Sequence, residues 1–163
     1  MKIEYRYASI EDIENLITIH IEALGFYSKQ SWIYALKDEQ TVYKYYKEKL
    51  SHQLNSDHDY IYIALHNDEI IGYYTVTINR SNPIMEVAHT MVADDIYIKE
   101  NYRKQGIATK FMNEMNKKAH SENIDRLIAF VATDNIPSNN LVKKFNFQVE
   151  GFYYYCNLGE SHD

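Results

Sequence analysis

The chain of 163 residues contains one cysteine, Cys156, and two prolines. A single cysteine excludes an internal disulfide and a zinc cluster built from cysteines, and it fits a reducing compartment. Hydrophobic residues make up 45% of the chain and charged residues 25%, which are ordinary proportions for a globular protein. At this length we expect a single domain, residues 1–163, with a core large enough to fold unaided.

An excess of positive charge is also absent, because the net charge is −6 at pH 7. A basic surface that attracts nucleic acid is therefore not expected, and the acidic balance favours cationic partners. No stretch approaches the roughly 18 apolar residues that span a bilayer. The first residues, MKIEYRYASIEDIE, contain no apolar signal segment. We expect a soluble, cytoplasmic protein with no nucleic-acid or membrane partner.

Glycine is scarce, with five residues, and two nucleotide-binding motifs are missing. A P-loop requires G-x-x-x-x-G-K-[ST], and a dinucleotide-binding fingerprint requires three glycines after the first strand. The seven histidines form no H-x-x-x-H or H-E-x-x-H pair on a helix, so we expect no metal. His20 falls on or beside an apolar helical face, which is more typical of a packed residue than of a ligand.

The spacing of apolar residues predicts alternating strands and helices. Helices are predicted after Ser9, ending at Gly25, and at about 41–54, 106–121 and 134–145. Period-two and β-branched runs predict strands at 3–7, 60–65, 70–78, 85–98 and 127–132, and a last strand or hairpin at 147–157. Residues 66–69 predict a hairpin turn, and the run 127–132 is apolar enough for a strand buried on both faces. The order implies a mixed α/β (α+β) fold, with a mixed sheet flanked by helices.

Residues 96–109, IYIKENYRKQGIAT, place a strand, a loop and the start of a helix in succession. The first turn of a helix exposes unpaired N–H groups, and a glycine such as Gly106 lets an anion approach the backbone without a Cβ in the way. Arg103 adds a charge-assisted contact. The stretch predicts a phosphate-binding loop, although a loop that only needs a positive φ gives the same pattern.

The same residues resemble the acetyl-CoA-binding signature of the GNAT superfamily of N-acyltransferases, an apolar strand followed by R/Q-x-x-G-x-G/A. Further segments are similar to this family and stand in its order: YRYASIEDIENLITIH, DEIIGYYTV, and NIPS followed by LVKKFNF. The resemblance covers nearly the whole chain. It implies a GNAT-like fold, with a mostly antiparallel sheet of six to seven strands splayed between strands 4 and 5, and about four flanking helices.

The resemblance also implies the activity, an acetyl-CoA-dependent N-acetyltransferase acting on a primary amine. In this family the loop amides bind the CoA diphosphate, and the pantetheine arm lies along the fourth strand like an extra strand. The N–H of Ile98 is expected to polarise the thioester carbonyl, and Asn135 to hydrogen-bond the pantetheine or CoA. The positions that match the cofactor site are Ile96, Tyr97, Ile98, Arg103, Lys104, Gln105, Gly106, Ile107, Ala108, Thr109, Asn135 and Ser138.

A general base is expected because a free alkyl amine, with a pKa near 10.4, is neutral in only about one molecule in two thousand at pH 7. Relatives place an acidic residue or histidine four or six positions before the residue that matches Ile98. These positions are Asp94 and Val92, and valine cannot accept a proton. On an unbroken strand Asp94 points to the face of Ile98, and Asp95 points away unless a bulge shifts the register. We therefore favour Asp94, followed by Asp95, with Glu86 and His89 more remote; a solvated strand-end carboxylate is the alternative for Asp94.

Two positions depart from the family pattern. Val142 stands where many relatives have a tyrosine that protonates the leaving thiolate. We expect this loss to slow transfer rather than forbid it, with solvent or one of Tyr153, Tyr154 and Tyr155 supplying the proton. Asn146 stands where glycine is usual, which affects the turn more than the chemistry. These departures keep a second function open, a CoA-binding module that senses or regulates without catalysis.

The amine acceptor is not identified by the sequence, beyond a preference for cationic amines that the acidity permits. The aromatic residues Tyr27, Trp32 and Tyr34 lie in the region that forms the acceptor site in the family, and they either line that site or anchor a long loop. Relatives often form homodimers, so a dimer is a further expectation.

Overall fold

The computed structural model describes residues 2–28, 37–80 and 89–151. The strands are β1 (Glu4–Tyr7), β2 (Asp59–His66), β3 (Glu69–Arg80), β4 (His89–Ile98) and β5 (Arg126–Ala129). The α-helices are α1 (Ile13–Ser28), α2 (Glu39–Leu54), α3 (Ile107–Ser121) and α4 (Ile136–Lys144). Short 3-10 helices at Ile10–Asp12 and Glu100–Tyr102 precede α1 and α3.

The five strands form one mixed sheet in the order β1-β2-β3-β4-β5. The pairs up to β3–β4 are antiparallel, and β4–β5 is parallel. The prediction of six to seven strands is wrong for the part of the chain that the structure describes. Residues 147–151 of the predicted last strand form no strand, and the rest of that segment lies outside the described residues.

One face of the sheet packs against α1 and α2. Tyr73 and Tyr97 of the central strands join a buried cluster with Leu16 and Ile17 of α1 and Leu50 of α2. These residues recur at helical spacing on the helices and at alternate positions on the strands, as burial of one face requires. This layer sets the position of α1 over β4.

The opposite face of the sheet packs against α3. The Phe111 ring makes edge contacts with Tyr5, Tyr62 and Tyr74, at centroid separations of 6.1, 6.1 and 5.4 Å. Such edge-to-face pairs are a preferred arrangement of aromatic rings. Part of the large tyrosine content therefore serves the core.

The hairpin between β2 and β3 is confirmed, because Asn67 and Asp68 both have positive φ, 51° and 62°. This is the two-residue turn that matches the twist of paired strands. Two other expectations are wrong: α1 continues through Gly25 to Ser28, and β5 is not buried on both faces, since Ile128 is 46% exposed.

The contacts divide the chain into two compact units, Met1–Phe130 and Val131–Asp163. The first unit contains the sheet and α1 to α3. The second contains α4, whose N-cap is Asn135. At the end of α4, Asn146 has a φ of 64°, and the N–H of Phe147 donates to the Val142 carbonyl at 3.1 Å. Asparagine here adopts the left-handed conformation that glycine favours at helix ends.

Candidate active site

The second half of β4 has a main-chain edge that β5 does not cover. Within the described residues, β5 pairs with Thr90–Ala93, whereas β4 continues beside β3 as far as Ile98. The N–H of Lys99 donates to the Ile71 carbonyl at 2.9 Å. Because antiparallel residues alternate, the main-chain groups of Ile96 and Ile98 then point away from β3. We call this the open edge of β4.

Two side chains donate to carbonyl groups of the open edge. The Tyr27 hydroxyl, at the end of α1, donates to the Ile96 carbonyl at 2.9 Å. Arg103 Nε donates to the Ile98 carbonyl, also at 2.9 Å. Tyr97 differs from its neighbours, because its main chain faces β3 and its hydroxyl donates to Glu22 at 2.9 Å. Of the three residues predicted to bind pantetheine, only Ile96 and Ile98 present main-chain groups to the gap between β4 and β5.

The open edge leads to the N-terminus of α3. Lys104 and Gly106 have positive φ, 60° and 83°, so the loop turns sharply before the helix. The first main-chain bond of α3 runs from Lys110 N to Gly106 O at 3.0 Å. The N–H groups of the first turn, those of Ile107, Ala108 and Thr109, therefore precede the intrahelical bonds. No acidic residue lies in this turn, which leaves its positive end free to attract an anion.

Two loop side chains point to protein groups. The Arg103 guanidinium lies over the Phe26 ring, 4.2 Å from its centroid, in addition to its bond to Ile98. Gln105 Nε2 donates to the Asn101 carbonyl at 3.2 Å. Arg103 thus links α1, β4 and the loop, a role that the sequence pattern did not indicate.

Strand β4 is broken by a bulge at Asp94. Thr75 of β3 pairs with Asp95, but Val76 pairs with Ala93, so Asp94 is an extra residue. The Asp94 carboxylate lies 2.8 Å from the Thr77 hydroxyl. Thr75 and Thr77 share the sheet face that packs on α1 and α2, so both carboxylates lie on that face. The condition for favouring Asp94, an unbroken strand, is not met.

The two aspartates differ in their surroundings. Burial raises the pKa of Asp95 to about 6, with a further rise from the Asp94 charge and an opposing effect of Lys49. Asp94 is exposed at the surface, yet partial desolvation also raises the pKa of its carboxyl group, opposed by the bond from Thr77. The same hydroxyl lies 2.6 Å from Asp59. Asp95 is thus the better placed of the two to exchange a proton near neutral pH.

A buried histidine lies on the same face. The ring of His20 stacks on Tyr73, with centroids 3.9 Å apart, and is 1% exposed. His20 Nδ1 lies 2.7 Å from the Leu16 carbonyl, so that nitrogen carries the proton. Burial lowers the His20 pKa to about 4, which keeps the ring neutral. This agrees with the prediction of a packed residue.

The remaining predicted residues lie in α4, at the start of β4, or outside the described residues. The Asn135 side chain accepts a hydrogen bond from Ser138 N at 3.2 Å and caps α4. His89 begins β4, and its N–H donates to Asp125 at 2.9 Å. Several candidates lie outside the described residues: Trp32, Tyr34, Glu86, Tyr153, Tyr154, Tyr155 and Cys156.

The described residues show neither a metal-binding cluster nor a membrane-spanning helix. No group of three or more histidine, cysteine, aspartate or glutamate side chains is placed to hold a metal ion. In the same part of the chain, no helix combines the length and apolar character needed to cross a membrane.

The sequence model of the Acetyltransferase (GNAT) family matches residues 22–147. The protein therefore belongs to the GNAT family of acetyltransferases, as the sequence predicted. The family match begins within α1 and extends past α4. No curated protein matches the sequence.

Solved structures share the fold at low sequence identity. A predicted acetyltransferase of Clostridium acetobutylicum, crystallised with acetyl-CoA, has a TM-score of 0.79 and 21% identity, covering 99% of this chain and 100% of its own. An integron cassette protein of V. cholerae has a TM-score of 0.73 and 23% identity, with 98% and 94% covered. AAC(6')-Iy, in complex with the bisubstrate analogue CoA-S-monomethyl-acetylneamine, has a TM-score of 0.71 and 14% identity, with 96% and 99% covered.

Proposed function

We propose that this protein transfers the acetyl group of acetyl-CoA to a primary amine of a small molecule or peptide, by direct transfer in a ternary complex. One observation carries the proposal: the open edge of β4 continues into the uncapped first turn of α3. A ligand that has amides at one end and a diphosphate at the other matches this succession of main-chain donors and acceptors.

The residues fit acetyl-CoA in two places. The diphosphate accepts hydrogen bonds from the main-chain N–H groups of Gln105, Gly106, Ala108 and Thr109, where the helix dipole also attracts negative charge. The amides of pantetheine pair with the main chain of Ile96 and Ile98, as an added strand would. Complexes of two similar folds with acetyl-CoA and with a CoA-containing analogue support this assignment.

In the reaction the amine displaces CoA from the thioester, and negative charge develops on the carbonyl oxygen. The N–H of Ile98 points to the open edge and is the donor we assign to that oxygen. A preorganised main-chain donor of this kind is worth about 2.7–4 kcal/mol in other acyl-transfer enzymes.

Asp95 is the group we assign to accept the proton of the amine, directly or through water. Its pKa of about 6 leaves it mostly ionised at pH 7, yet more basic than an ordinary aspartate. Asp94 is the second candidate, because it lies next to Asp95 on the same face. The order of the two candidates is thus the reverse of the order that alternation favours. The bulge places Asp94 on the same face as Asp95, and the deeper burial of Asp95 decides between them.

A cationic acceptor fits the charge of this face. Asp59, Asp94 and Asp95 lie on the side of the sheet that α1 and α2 cover, and the protein as a whole carries a net charge of −6. An aminoglycoside acetyltransferase is among the proteins of similar fold. We therefore place polyamines and aminoglycosides first among acceptor classes.

Two measurements test the proposal. Isothermal titration with acetyl-CoA should show saturable binding, and thiol release should rise on adding polyamines, aminoglycosides, amino acids or peptides. The variant Asp95→Asn separates the two measurements, since it should bind acetyl-CoA as the wild type does and lose most thiol release. Binding without release for any amine would favour the sensor or regulatory module, and no binding at millimolar acetyl-CoA would exclude both functions.

A further inference from the structure

We propose that the hydroxyl of Tyr27 is the acid of the reaction and donates its hydrogen bond, then its proton, to the sulfur of the departing CoA. This inference rests on the proposed function. Tyr27 belongs to the end of α1 and lies 69 residues from Ile96, which its hydroxyl contacts at 2.9 Å. Nothing in the sequence pattern connects these two residues.

The placement of Tyr27 is fixed by its neighbours. Its ring makes edge contacts with Phe26 at 5.6 Å and with Tyr97 at 6.3 Å, measured between centroids. Phe26 in turn supports the Arg103 guanidinium, which bonds the next carbonyl of the open edge. The hydroxyl is thus held at the edge by packed aromatic rings rather than by a single bond.

The hydroxyl lies close to where the thioester must be. Successive residues on one edge of a strand repeat every 6.8 Å or so. A thioester whose oxygen is bound at the N–H of Ile98 therefore has its sulfur within about one repeat of the Ile96 carbonyl. Tyr27 belongs to α1, and Asp95 lies on the sheet face that α1 and α2 cover, so a proton donor and a proton acceptor approach β4 from the same side.

Binding of the cosubstrate would release the hydroxyl for this role. A pantetheine amide N–H that pairs with the Ile96 carbonyl replaces Tyr27 as its donor. The hydroxyl then turns its hydrogen toward the sulfur. A tyrosine hydroxyl keeps its proton at neutral pH, so the donor is ready before the reaction begins.

The chemistry balances without any other reactant. The amine nitrogen forms the C–N bond, the C–S bond breaks, and its electron pair goes to sulfur. Asp95 takes the amine proton, Tyr27 gives its proton to sulfur, and solvent returns both groups to their starting states. Thiolates are moderate bases, with an ordinary thiol pKa near 8.5, so the donor should matter without being indispensable.

Tyr27→Phe tests the inference, with Tyr43→Phe as the matched control. The Tyr43 hydroxyl, on α2, also donates at 2.9 Å, to Glu14 at the surface. With acetyl-CoA, we expect kcat to fall about 100-fold in Tyr27→Phe, the lower end of general acid–base effects, and to stay unchanged in the control. With the acetyl selenoester of CoA, whose leaving group is a much weaker base, the loss should shrink to a few-fold.

Three results would overturn the assignment. They are an unchanged kcat in Tyr27→Phe, an equal loss with both esters, or an alkaline limb of the kcat profile that does not move when a ring-fluorinated, more acidic tyrosine replaces Tyr27. The fluorinated tyrosine keeps the shape of the Tyr27 side chain, so this protein tests the role of the hydroxyl even if Tyr27→Phe folds poorly. A wild-type protein that releases no thiol with any amine would instead overturn the proposed function, and this inference with it.

Discussion

Asp95 lies directly opposite Thr75 in the β3–β4 ladder, on the sheet face that α1 and α2 cover. Thr75 is 1% exposed, and its hydroxyl has no hydrogen-bond partner among the described residues. The carboxylate thus has a buried hydroxyl, and not a cation, as its cross-strand neighbour. Burial, which the charge of Lys49 only partly offsets, accounts for the raised pKa of Asp95.

Asp95→Asn should lower kcat at least 100-fold, the usual scale for loss of a general base. In the wild type, kcat should rise with pH through about 6, as the carboxyl group loses its proton. Asp94→Asn is the matched control and should retain most of the activity. Steady-state thiol release from pH 5 to 8 measures all three proteins, and a larger loss in Asp94→Asn would restore the order that alternation favoured.

The stability of Asp95→Asn should exceed that of the wild type at pH 7 and match it at pH 4. As the pH falls, the folded protein binds a proton on Asp95 at about pH 6, whereas the unfolded chain binds it only near pH 3.8. Acidification between these values therefore stabilises the wild type through this group. The difference amounts to about 3 kcal/mol. Urea unfolding at the two pH values measures it. A constant difference between the proteins would contradict the raised pKa.

His20 should give the opposite trend. Its pKa is lowered from 6.5 to about 4, so the unfolded chain binds the proton first and acidification through this range destabilises the fold. Relative to the wild type, His20→Phe should therefore gain about 3 kcal/mol between pH 7 and pH 4. The same urea titrations reveal the trend. Because the two groups act in opposite directions, the wild type should vary less between these pH values than either variant.

Gly106→Ala should weaken acetyl-CoA binding and lower stability by about 1–2 kcal/mol, the cost of a left-handed conformation for a residue with a Cβ. A Cβ at Gly106 meets no atom within 4 Å, so the cost comes from φ, at 83°, and not from a clash. Gly25→Ala is the control, because it also meets nothing but lies inside α1, where alanine should stabilise by about 1 kcal/mol. Calorimetric titration and urea unfolding separate the two variants, and equal effects would argue against the loop geometry.

Arg103→Lys should lower stability by about 1–2 kcal/mol without changing the salt dependence of acetyl-CoA binding. Lysine cannot reproduce the planar stack on Phe26 together with the bond to Ile98. Lys104→Asn is the comparison, since asparagine tolerates the positive φ at this exposed site and removes only a charge. Calorimetric titrations with acetyl-CoA at low and high salt measure the salt dependence of binding in both variants. A reduced salt dependence in Arg103→Lys would mean that Arg103 contacts the phosphates, as the sequence pattern suggested.

Much of the fold follows from local pattern. Apolar spacing located α2 and α3 to within two residues, and the polar residues 66–69 located the hairpin turn. Gly25 was misread because a single glycine costs a helix only about 1 kcal/mol, which the packed neighbours Ala23 and Phe26 outweigh. The burial of residues 127–132 was predicted wrongly because apolar residue types do not show which other elements pack against them. Ile128 and Phe130 are in fact exposed.

The candidate site was only partly readable from sequence, for a physical reason. The loop before α3 is formed by consecutive residues, so Gly106 and the helical pattern that follows predict its geometry from sequence. The bulge is not readable, because two consecutive aspartates are compatible with either register. The contacts of Tyr27 and Arg103 with the open edge join elements distant in the sequence, and only the packed structure brings them together.

The open edge of β4 also bears on solubility. An unpaired strand edge is a template for a strand of another molecule, and proteins normally blunt such edges. Here the hydroxyl of Tyr27 and the guanidinium of Arg103 occupy its carbonyls, and thereby deny a foreign strand half of the hydrogen bonds it would need. These two contacts therefore oppose self-association through the open edge of β4.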